Sequence, residues 1–348
     1  MPGLVECFRA NGERNIRIVG IDMSPDPTCR FMVDAFYEVP PATDPAYWSI
    51  VLEICQREEV DIYFPNISAE VDALIDHRAT FEEVGTLISM SNPKSIKIAN
   101  NKLSMYRMLK EAGMPVPEFI EVNTVDDFKY GCKELGFPER ALCLKIVGGS
   151  GSRGVRVIDN KKSRYTLFAY EKPNSLVTSF EEMLSILEST ERLDTMLLMP
   201  FLPGNEYTVD VLADHGSLLY QVGRENLVSL MSIAQESVLS KDEHAYEVSQ
   251  KVVELLQFDG NVGFDFMRDA EGTAVLTDIN PRITATVSVI AAGGVNLPYL
   301  RVKQLLGEPL PEREVAYGTR LKRRYHELFS DPKGNEILIE ELSVRSKL

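Results

Sequence analysis

The segment 260–282 carries oxygen ligands at the spacing of a β-hairpin. Its two halves, G-N-V-G-F-D-F-M and A-V-L-T-D-I-N-P-R, both alternate, and a polar Asp-Ala-Glu-Gly turn joins them, which predicts two antiparallel strands. Any register that sets an even-numbered residue opposite Asp265 places this acid on one face with Asp278 and Asn280. Three hard oxygen ligands, with Arg282 just beyond the strand end, suit a Mg²⁺–phosphate complex. The alternative is a strand that simply ends in an Asx turn.

A lysine in an apolar strand and the glycine-rich loop after it form a second set of candidates. Lys145 is the only charge in the run 141–147 (A-L-C-L-K-I-V), and G-G-S-G-S-R-G follows at 148–154. Glycines let backbone N–H groups approach an anion, so this arrangement favours phosphate binding over a hairpin with a loose tip. Lys102 lies in the first turn of a predicted helix, where a cation opposes the helix dipole. That placement hints at a nearby anion, although an exposed surface lysine explains it about as well.

A third candidate is the alternating segment 206–212, E-Y-T-V-D-V-L. Its strand pattern places Glu206, Thr208 and Asp210 on one face. This face suits an acid that binds a pair of sugar hydroxyls, and it suits a solvated strand face equally well.

The first hundred residues must supply a scaffold for these groups. They alternate predicted strands at 15–22, 60–65 and 85–89 with predicted helices at 47–58 and 68–78, the second capped by Ser68. Strands separated by helices predict right-handed βαβ units and a parallel sheet. Asp22, Asn66 and Glu70 follow strand ends, where open parallel sheets bind ligands, but turn and cap roles are the commoner explanation.

This region has no G-x-G-x-x-G fingerprint, so a dinucleotide enzyme is not expected. Residues 1–12 resemble the tail of a helix, and the first strand expected ahead of them is absent. Capping and periodicity predict further helices at 91–99, 101–113, 124–135, 179–189, 242–257, 284–292 and 297–306. Alternation and apolar runs predict further strands at 155–158, 196–201 and 217–226.

Composition excludes several classes of protein. The chain has 348 residues and a net charge of −15, which disfavours nucleic-acid or anionic-membrane binding. Its five cysteines are scattered without a C-x-x-C, and its four histidines lack metal-ligand spacing. Reduced thiols, no zinc site and a cytoplasmic location are expected. No signal-like start or long apolar run is present, so no membrane span is expected.

The order of these motifs resembles the ATP-grasp superfamily, particularly the carbamoyl phosphate synthase large subunit and related carboxylate–amine ligases. N-K-L at 101–103 is followed by the strand lysine, the glycine loop, M-P-F-L-P-G-N-E-Y-T-V-D-V-L, V-G-F-D-F-M and D-I-N-P-R. Each motif is weak alone, but together they cover residues 90–300 in the family's order. Without an internal duplication, the chain resembles a single ATP-grasp unit.

The resemblance implies a mixed α/β and α+β fold with three parts. They are a small parallel-sheet pre-ATP-grasp domain at 1–98, an ATP-grasp small lobe with its glycine-rich lid at 99–200, and a large lobe with the Mg-binding hairpin at 201–348. It also implies ATP and Mg²⁺ (or Mn²⁺) as cofactors, small-molecule carboxylate and amine substrates, and the homodimers that are common among such relatives.

The resemblance further implies roles for individual residues. The residues that would contact the nucleotide phosphates are Lys102, Lys145 and the loop residues Gly149, Ser150, Gly151 and Gly154. The adenine hinge corresponds to Met199, Phe201 and Leu202, the ribose acid to Glu206, and the metal ligands to Asp265, Asp278 and Asn280. Arg282 faces the γ-phosphate and the acyl phosphate, Lys145 assists it, and Arg224 is a weaker candidate for the transferring phosphoryl group.

Two features depart from the family pattern. Met199 stands where an acid is common, and Pro200 offers no N–H to adenine. Both metal acids are Asp where Glu is common. The expected reaction is ATP-dependent activation of a carboxylate as an acyl phosphate for attack by an amine. Carbamoyl phosphate synthase-like phosphorylation of bicarbonate or carbamate, and nucleotide binding with little catalysis, are the alternatives.

Overall fold

The structure is a computed structural model. It describes residues 2–149, 153–171, 175–230, 233–324, 327, 329–331 and 336–337. Ser150 and Gly151, two of the predicted phosphate contacts, lie outside the described residues.

The N-terminal part alternates helices with pairs of short parallel strands. Its elements are α1 Pro2–Arg9, β1 Val19–Asp22, β2 Ala35–Glu38, α2 Tyr47–Arg57, β3 Ile62–Tyr63, α3 Ser68–Leu74, α4 Arg78–Glu83 and β4 Leu87–Ile88. Strands β1 and β2 pair in parallel, as do β3 and β4. The predicted cap of α3 is wrong, because Ile67 occupies the N-cap position and Ser68 is already helical. The Glu70 carboxylate instead accepts the free N–H groups of Asn66 and Ile67.

Two capped helices lead into a five-stranded sheet. The elements are α5 Pro93–Ala99, α6 Lys102–Glu111, β5 Ile120–Val122, α7 Val125–Glu134, β6 Leu142–Ile146, β7 Val155–Ile158, α8 Arg164–Tyr170, β8 Val177–Thr178, α9 Phe180–Glu188 and β9 Met196–Pro200. Asn92 and Asn101 cap α5 and α6 through their side-chain oxygens. The strands lie in the order β5-β9-β6-β7-β8. One face of this sheet packs on α7 and α9 through Phe128 and Leu187.

The C-terminal part is built on an antiparallel sheet. Its elements are β10 Glu206–Asp214, β11 Ser217–Leu230, β12 Ile233–Leu239, α10 Glu243–Leu256, β13 Gly260–Arg268, β14 Ala274–Asn280, α11 Ser288–Ala292, α12 Leu297–Leu305, β15 Arg320–Lys322, β16 Phe329–Ser330 and β17 Glu336–Ile337. The main sheet has the order β14-β13-β10-β11-β12-β15. Tyr207, Val209 and Val211 face a core shared with α10. Strand alternation therefore turns the even-numbered residues of β10 to the opposite face.

These parallel and antiparallel parts confirm the predicted fold class. The predicted helix 284–292 is shorter than expected and begins only at Ser288. One reason is that the Thr284 side chain is committed to a tertiary hydrogen bond with Asp210. Across the part of the chain that the structure describes, no helix combines the length and apolar character needed to cross a bilayer.

Candidate active site

The β13–β14 hairpin gathers its oxygen side chains on one face. Asp265 lies opposite Asp278, and Gly263 lies opposite Asn280. An even-numbered residue therefore lies opposite Asp265, which is the condition under which the sequence predicted that these side chains share a face. The Asn280 amide donates a hydrogen bond to Asp265 Oδ2 at 2.8 Å. The three predicted metal ligands are thus neighbours on one surface.

A ladder of polar side chains continues this surface across the sheet. The Thr208 hydroxyl donates to Asp265 Oδ1 at 2.8 Å. The Asn226 amide donates to Thr208 Oγ1 at 3.1 Å and to Glu206 Oε1 at 2.9 Å. Asn226 was not singled out from the sequence, although its spacing of two from Arg224 on a strand was a usable signal. The ladder links the predicted ribose acid Glu206 to the hairpin.

Two acids of the ladder, Glu206 and Asp265, have raised pKa values. Removal from water, with the nearby charge of Glu206, raises the pKa of Asp265 to about 7. Burial also raises the pKa of Glu206. A bound divalent cation would stabilise the charged form of these buried carboxylates. Carboxylate and amide oxygens are also the ligands that Mg²⁺ prefers. The donor set therefore fits a Mg²⁺ ion held by Asp265, Asp278 and Asn280.

Arg282 extends the hairpin with a guanidinium group. One of its NH₂ groups donates to Asn280 Oδ1 at 3.0 Å and the other to the Ile283 carbonyl at 3.0 Å. Its Nε is buried and has no hydrogen-bond partner among the described residues. Burial lowers the pKa of Arg282, and the acids Asp265 and Asp278 oppose that shift. The side chain is thus held beside the carboxylates with one donor still unused.

Lys102 joins three separate elements. Its ammonium group lies 3.2 Å from Asp278 Oδ2 and donates to the Gly149 carbonyl at 3.0 Å. The Asn101 cap fixes the start of α6 by accepting the Ser104 N–H at 2.8 Å. The buried position of Lys102 excludes the alternative that it is an exposed surface lysine. Helix α6, the glycine loop and the hairpin meet at this ammonium group.

The loop itself needs glycine where it rejoins the sheet. Gly154 has a φ of +69°, and a Cβ there would come within 2.6 Å of the Ile146 side chain. Lys145 lies on β6, between Val155 on β7 and Leu197 on β9. The strand–loop–strand prediction is confirmed on both sides of the loop.

The predicted hinge residues lie on β9 and just beyond it. Met199 is buried, and the Tyr106 hydroxyl lies 3.8 Å from its sulfur. The Phe201 N–H donates to the Ala141 carbonyl at 2.9 Å, while its side chain is exposed. Leu202 packs against the core. Because this N–H is already used, the hinge offers fewer backbone donors than the sequence suggested.

Arg224 is buried in a charge-matched cluster. Its Nε lies 3.1 Å from Asp210 Oδ2, and Thr284 donates to Asp210 Oδ1 at 2.6 Å. The guanidinium group also contacts Asn226 Oδ1. A Cβ on Gly263 would lie 2.3 Å from Thr284, so glycine is what lets this cluster close. Thr284 was missed because its segment was predicted to be helical.

Two family models match separate parts of the chain. Residues 3–89 match the family described as PylC-like, N-terminal domain. Residues 192–327 match the family described as ATP-grasp in the biosynthetic pathway with Ter operon. Among curated proteins, the carbamoyl phosphate synthase large chain of Clostridium acetobutylicum is 24% identical over 249 residues, which cover 69% of this chain and 21% of that protein. The chain thus spans only a minor part of that relative's length.

Solved structures give the same fold. N5-carboxyaminoimidazole synthetase from Staphylococcus aureus, complexed with ADP, has a TM-score of 0.66 at 17% identity and covers 90% of this chain and 78% of its own. The biotin carboxylase domain dimer of Hydrogenobacter thermophilus 2-oxoglutarate carboxylase, with MgADP, ADP and bicarbonate, has a TM-score of 0.65 at 16% identity and covers 97% and 80%. At these identities the structures establish the fold.

Residues 192–327 thus carry an ATP-grasp match, in agreement with the motif order, and the solved structures share the fold over most of the chain. The chain joins a segment that matches a PylC-like N-terminal domain to one that matches an ATP-grasp domain.

Proposed function

We propose that this protein is an ATP-dependent ligase that activates a carboxylate as an acyl phosphate for attack by an amine. The observation that carries the proposal is the convergence of the Lys102 ammonium on both Gly149 and Asp278. The glycine loop and the β13–β14 hairpin thereby meet at one ammonium group, which supports a site in which this loop would bind a nucleotide's phosphates and the hairpin would bind the metal. The ATP-grasp match and the names of the similar proteins support the same reaction class.

In the proposed site, the three predicted domains 1–98, 99–200 and 201–348 have different roles. Phosphates would contact Lys102, Lys145, Gly149 and Gly154, and adenine would lie against Met199, Phe201 and Leu202. Ribose hydroxyls would donate to Glu206. Mg²⁺ would be held by Asp265, Asp278 and Asn280, and when bound it would neutralise phosphate charge. A homodimer is proposed by analogy with the biotin carboxylase domain dimer.

The proposed reaction requires the protein mainly to position the reactants and to stabilise charge on the transferred phosphoryl group. A carboxylate oxygen attacks the γ-phosphorus of ATP, the bond to the β-phosphate oxygen breaks, and ADP leaves. The amine nitrogen then attacks the acyl carbon, the carbon–oxygen bond breaks, phosphate leaves, and the nitrogen loses a proton. Arg282 would stabilise charge on the transferred phosphoryl group, and Arg224, already neutralised by Asp210, would act more weakly.

Two substitutions test this site. Lys145→Ala and Asp278→Ala should each lower phosphate release by at least about 100-fold, because one removes a phosphate cation and the other a metal ligand. Their melting temperatures should stay close to wild type, because both side chains are only partly buried. Glu271→Gln, in the exposed hairpin turn, is the control and should keep full activity. Wild-type turnover in either alanine variant would defeat the assignment.

Nucleotide binding with little catalysis is a second candidate, favoured by the occupied Phe201 N–H and the short metal acids. Calorimetry would distinguish it. Tight MgATP binding without ADP release in any mixture of carboxylate and amine would support this candidate. Turnover that requires only bicarbonate and ammonia would instead indicate carbamoyl phosphate synthase-like chemistry.

A further inference from the structure

The strands of the main sheet set the polar ladder in register. Glu206 on β10 lies opposite Asn226 on β11, and Thr208 on β10 lies opposite Asp265 on β13. Residues that lie opposite one another on paired strands share a face. Thr208 is fully buried and Asn226 is 5% exposed. Because these two polar side chains are removed from water, they depend on the rest of the ladder for their hydrogen bonds.

Arg224 fixes the orientation of the Asn226 amide. A guanidinium group carries only donors, so the Asn226 atom that contacts it is the oxygen. The Ser237 hydroxyl lies 3.2 Å from the same oxygen. The amide nitrogen therefore points the other way, where it donates to Glu206 Oε1 at 2.9 Å and to Thr208 Oγ1 at 3.1 Å. A carboxylate only accepts hydrogen bonds, so Glu206 requires the same orientation.

This orientation determines the direction of the next hydrogen bond. Thr208 Oγ1 accepts from the Asn226 amide, so its single proton is available for Asp265, whose Oδ1 lies 2.8 Å away. The Arg224 guanidinium at the start is itself held by Asp210, 3.1 Å from its Nε. The chain from Arg224 through Asn226 and Thr208 to Asp265 thus runs from donor to acceptor at every step.

A second chain reaches Asp265 from the other side. Arg282 donates to Asn280 Oδ1 at 3.0 Å, and the Asn280 amide donates to Asp265 Oδ2 at 2.8 Å. Each oxygen of Asp265 therefore accepts a directed hydrogen bond from a side chain. Since a carboxylate has about four acceptor sites, lone pairs on both oxygens remain for a metal ion.

We propose that Asn226 and Thr208 are positioning residues of the ligase site, and that one amide group orients both the metal acid Asp265 and the ribose acid Glu206. The inference rests on the nucleotide and metal sites of the proposed function and deepens it. Asn226 has two branches, one to Glu206 and one through Thr208 to Asp265. Thr208 serves only the metal branch, so substitutions of the two residues should affect nucleotide and metal binding differently.

The first test separates metal binding from nucleotide binding. Calorimetry measures ADP binding to the purified full-length protein in EDTA and then with Mg²⁺ at a series of concentrations. Thr208→Val keeps the shape of the side chain and removes its proton donor. It should weaken Mg²⁺ binding to the ADP complex about tenfold or more, while ADP affinity in EDTA stays unchanged. Thr208→Ser keeps a hydroxyl and should recover most of the loss.

Thr178→Val is the matched control. Thr178 is also buried, and its hydroxyl donates to the Glu182 carboxylate at 3.2 Å, but it lies on β8 in the five-stranded sheet. Its substitution should leave Mg²⁺ binding unchanged. Unchanged Mg²⁺ binding in Thr208→Val, or equal weakening in both valine variants, overturns the positioning role of Thr208.

The second test follows the ribose branch. ADP is compared in EDTA with 2′-deoxy-ADP and 3′-deoxy-ADP, which carry the same charge. Wild type should prefer ADP to at least one of them by about fivefold. Asn226→Ala should lose most of this preference, because Glu206 loses the donor that orients it. Asn226→Asp keeps an acceptor for Arg224 but offers Glu206 no donor, so it should lose the preference too. A preference retained in either variant overturns the role of Asn226.

Failure of the proposed function would look different. If wild type binds no ADP with or without Mg²⁺, the proposed nucleotide site and the positioning roles are both wrong. If the variants behave as expected but no acid and amine together give ADP release from MgATP, the positioning roles stand and the ligase reaction is wrong.

Discussion

Asp259 immediately precedes strand β13, and Asp265 lies on it six residues further along, about 20 Å away at strand rise. The first carboxylate receives both ends of one guanidinium group, with Arg301 NH1 and NH2 at 3.0 and 2.9 Å from its two oxygens. The second receives only the neutral donors Thr208 and Asn280. One strand thus carries a compensated charge at one end and an uncompensated charge at the other.

The compensated end has a structural role. Arg301 also contacts Gln304 and Ser89, and the Asp259 N–H donates to the Ser91 hydroxyl, so this pair ties the segment before α5 to β13 and α12. Every part of that arrangement has a partner within the chain. At the other end the pKa of Asp265 is raised, because burial and the charge of Glu206 outweigh the nearby charge of Arg224.

The largest expected effect on stability comes from breaking the compensated end. Arg301→Met should lower the free energy of unfolding by about 3–5 kcal/mol, because it leaves Asp259 poorly solvated and without its cation. Urea unfolding measures the loss. The double variant Arg301→Met with Asp259→Asn should recover part of it. MgATP affinity of the folded protein should stay unchanged, since the site is at the far end of β13. A loss below about 1 kcal/mol would mean that the two ends do not differ as described.

Removing the Asp265 carboxylate should raise the free energy of unfolding, whereas Arg301→Met should lower it. Burial and Glu206 raise the pKa of Asp265 to about 7, so between about pH 4 and pH 7 the folded metal-free protein retains a proton that the unfolded chain releases. This group therefore lowers stability as pH rises through that window. Asp265→Asn removes the effect and should be more stable than wild type at pH 8 by about 1–2 kcal/mol, with little difference near pH 4.

Unfolding in EDTA at several pH values checks this prediction. Addition of Mg²⁺ and ATP should then stabilise wild type more than Asp265→Asn, because a ligand stabilises only the state that binds it. Parallel pH profiles for the two proteins in EDTA would contradict the proposed charge imbalance.

The sequence predicted the uncompensated end much better than the compensated one. Strand alternation alone placed Asp265, Asp278 and Asn280 together, because the hairpin turn brings near neighbours in sequence into register. Asp259 and Arg301 are separated by 42 residues, and no local pattern pairs them. Their contact depends on how α12 packs against the sheet, which is a tertiary property.

The same reasoning explains the smaller errors. Helix α3 begins without the predicted Ser68 cap because Glu70 takes the free N–H groups instead. The segment at 284 was expected to be helical because its composition permits a helix, but Thr284 is held by Asp210 on a distant strand. The used N–H of Phe201 likewise depends on its neighbour Ala141. Motif order predicted the ATP-grasp match at residues 192–327, whereas these hydrogen-bond partners become visible only in the folded structure.

The smallest expected effect concerns Lys102, a cation that reaches the β13–β14 hairpin from helix α6. Asn101 caps the helix that begins with Lys102, so Asn101→Ala should cost about 1 kcal/mol of stability. It should also lower MgATP affinity by up to about fivefold, because Lys102 is held less firmly beside Asp278. Asn92→Ala removes the corresponding cap of α5, and it should cost similar stability without changing affinity. Asn101→Ser keeps a capping oxygen and should restore both quantities. If the Asn101 and Asn92 alanine variants weaken MgATP binding equally, the cap acts through general stability, and Lys102 does not depend on it for its position.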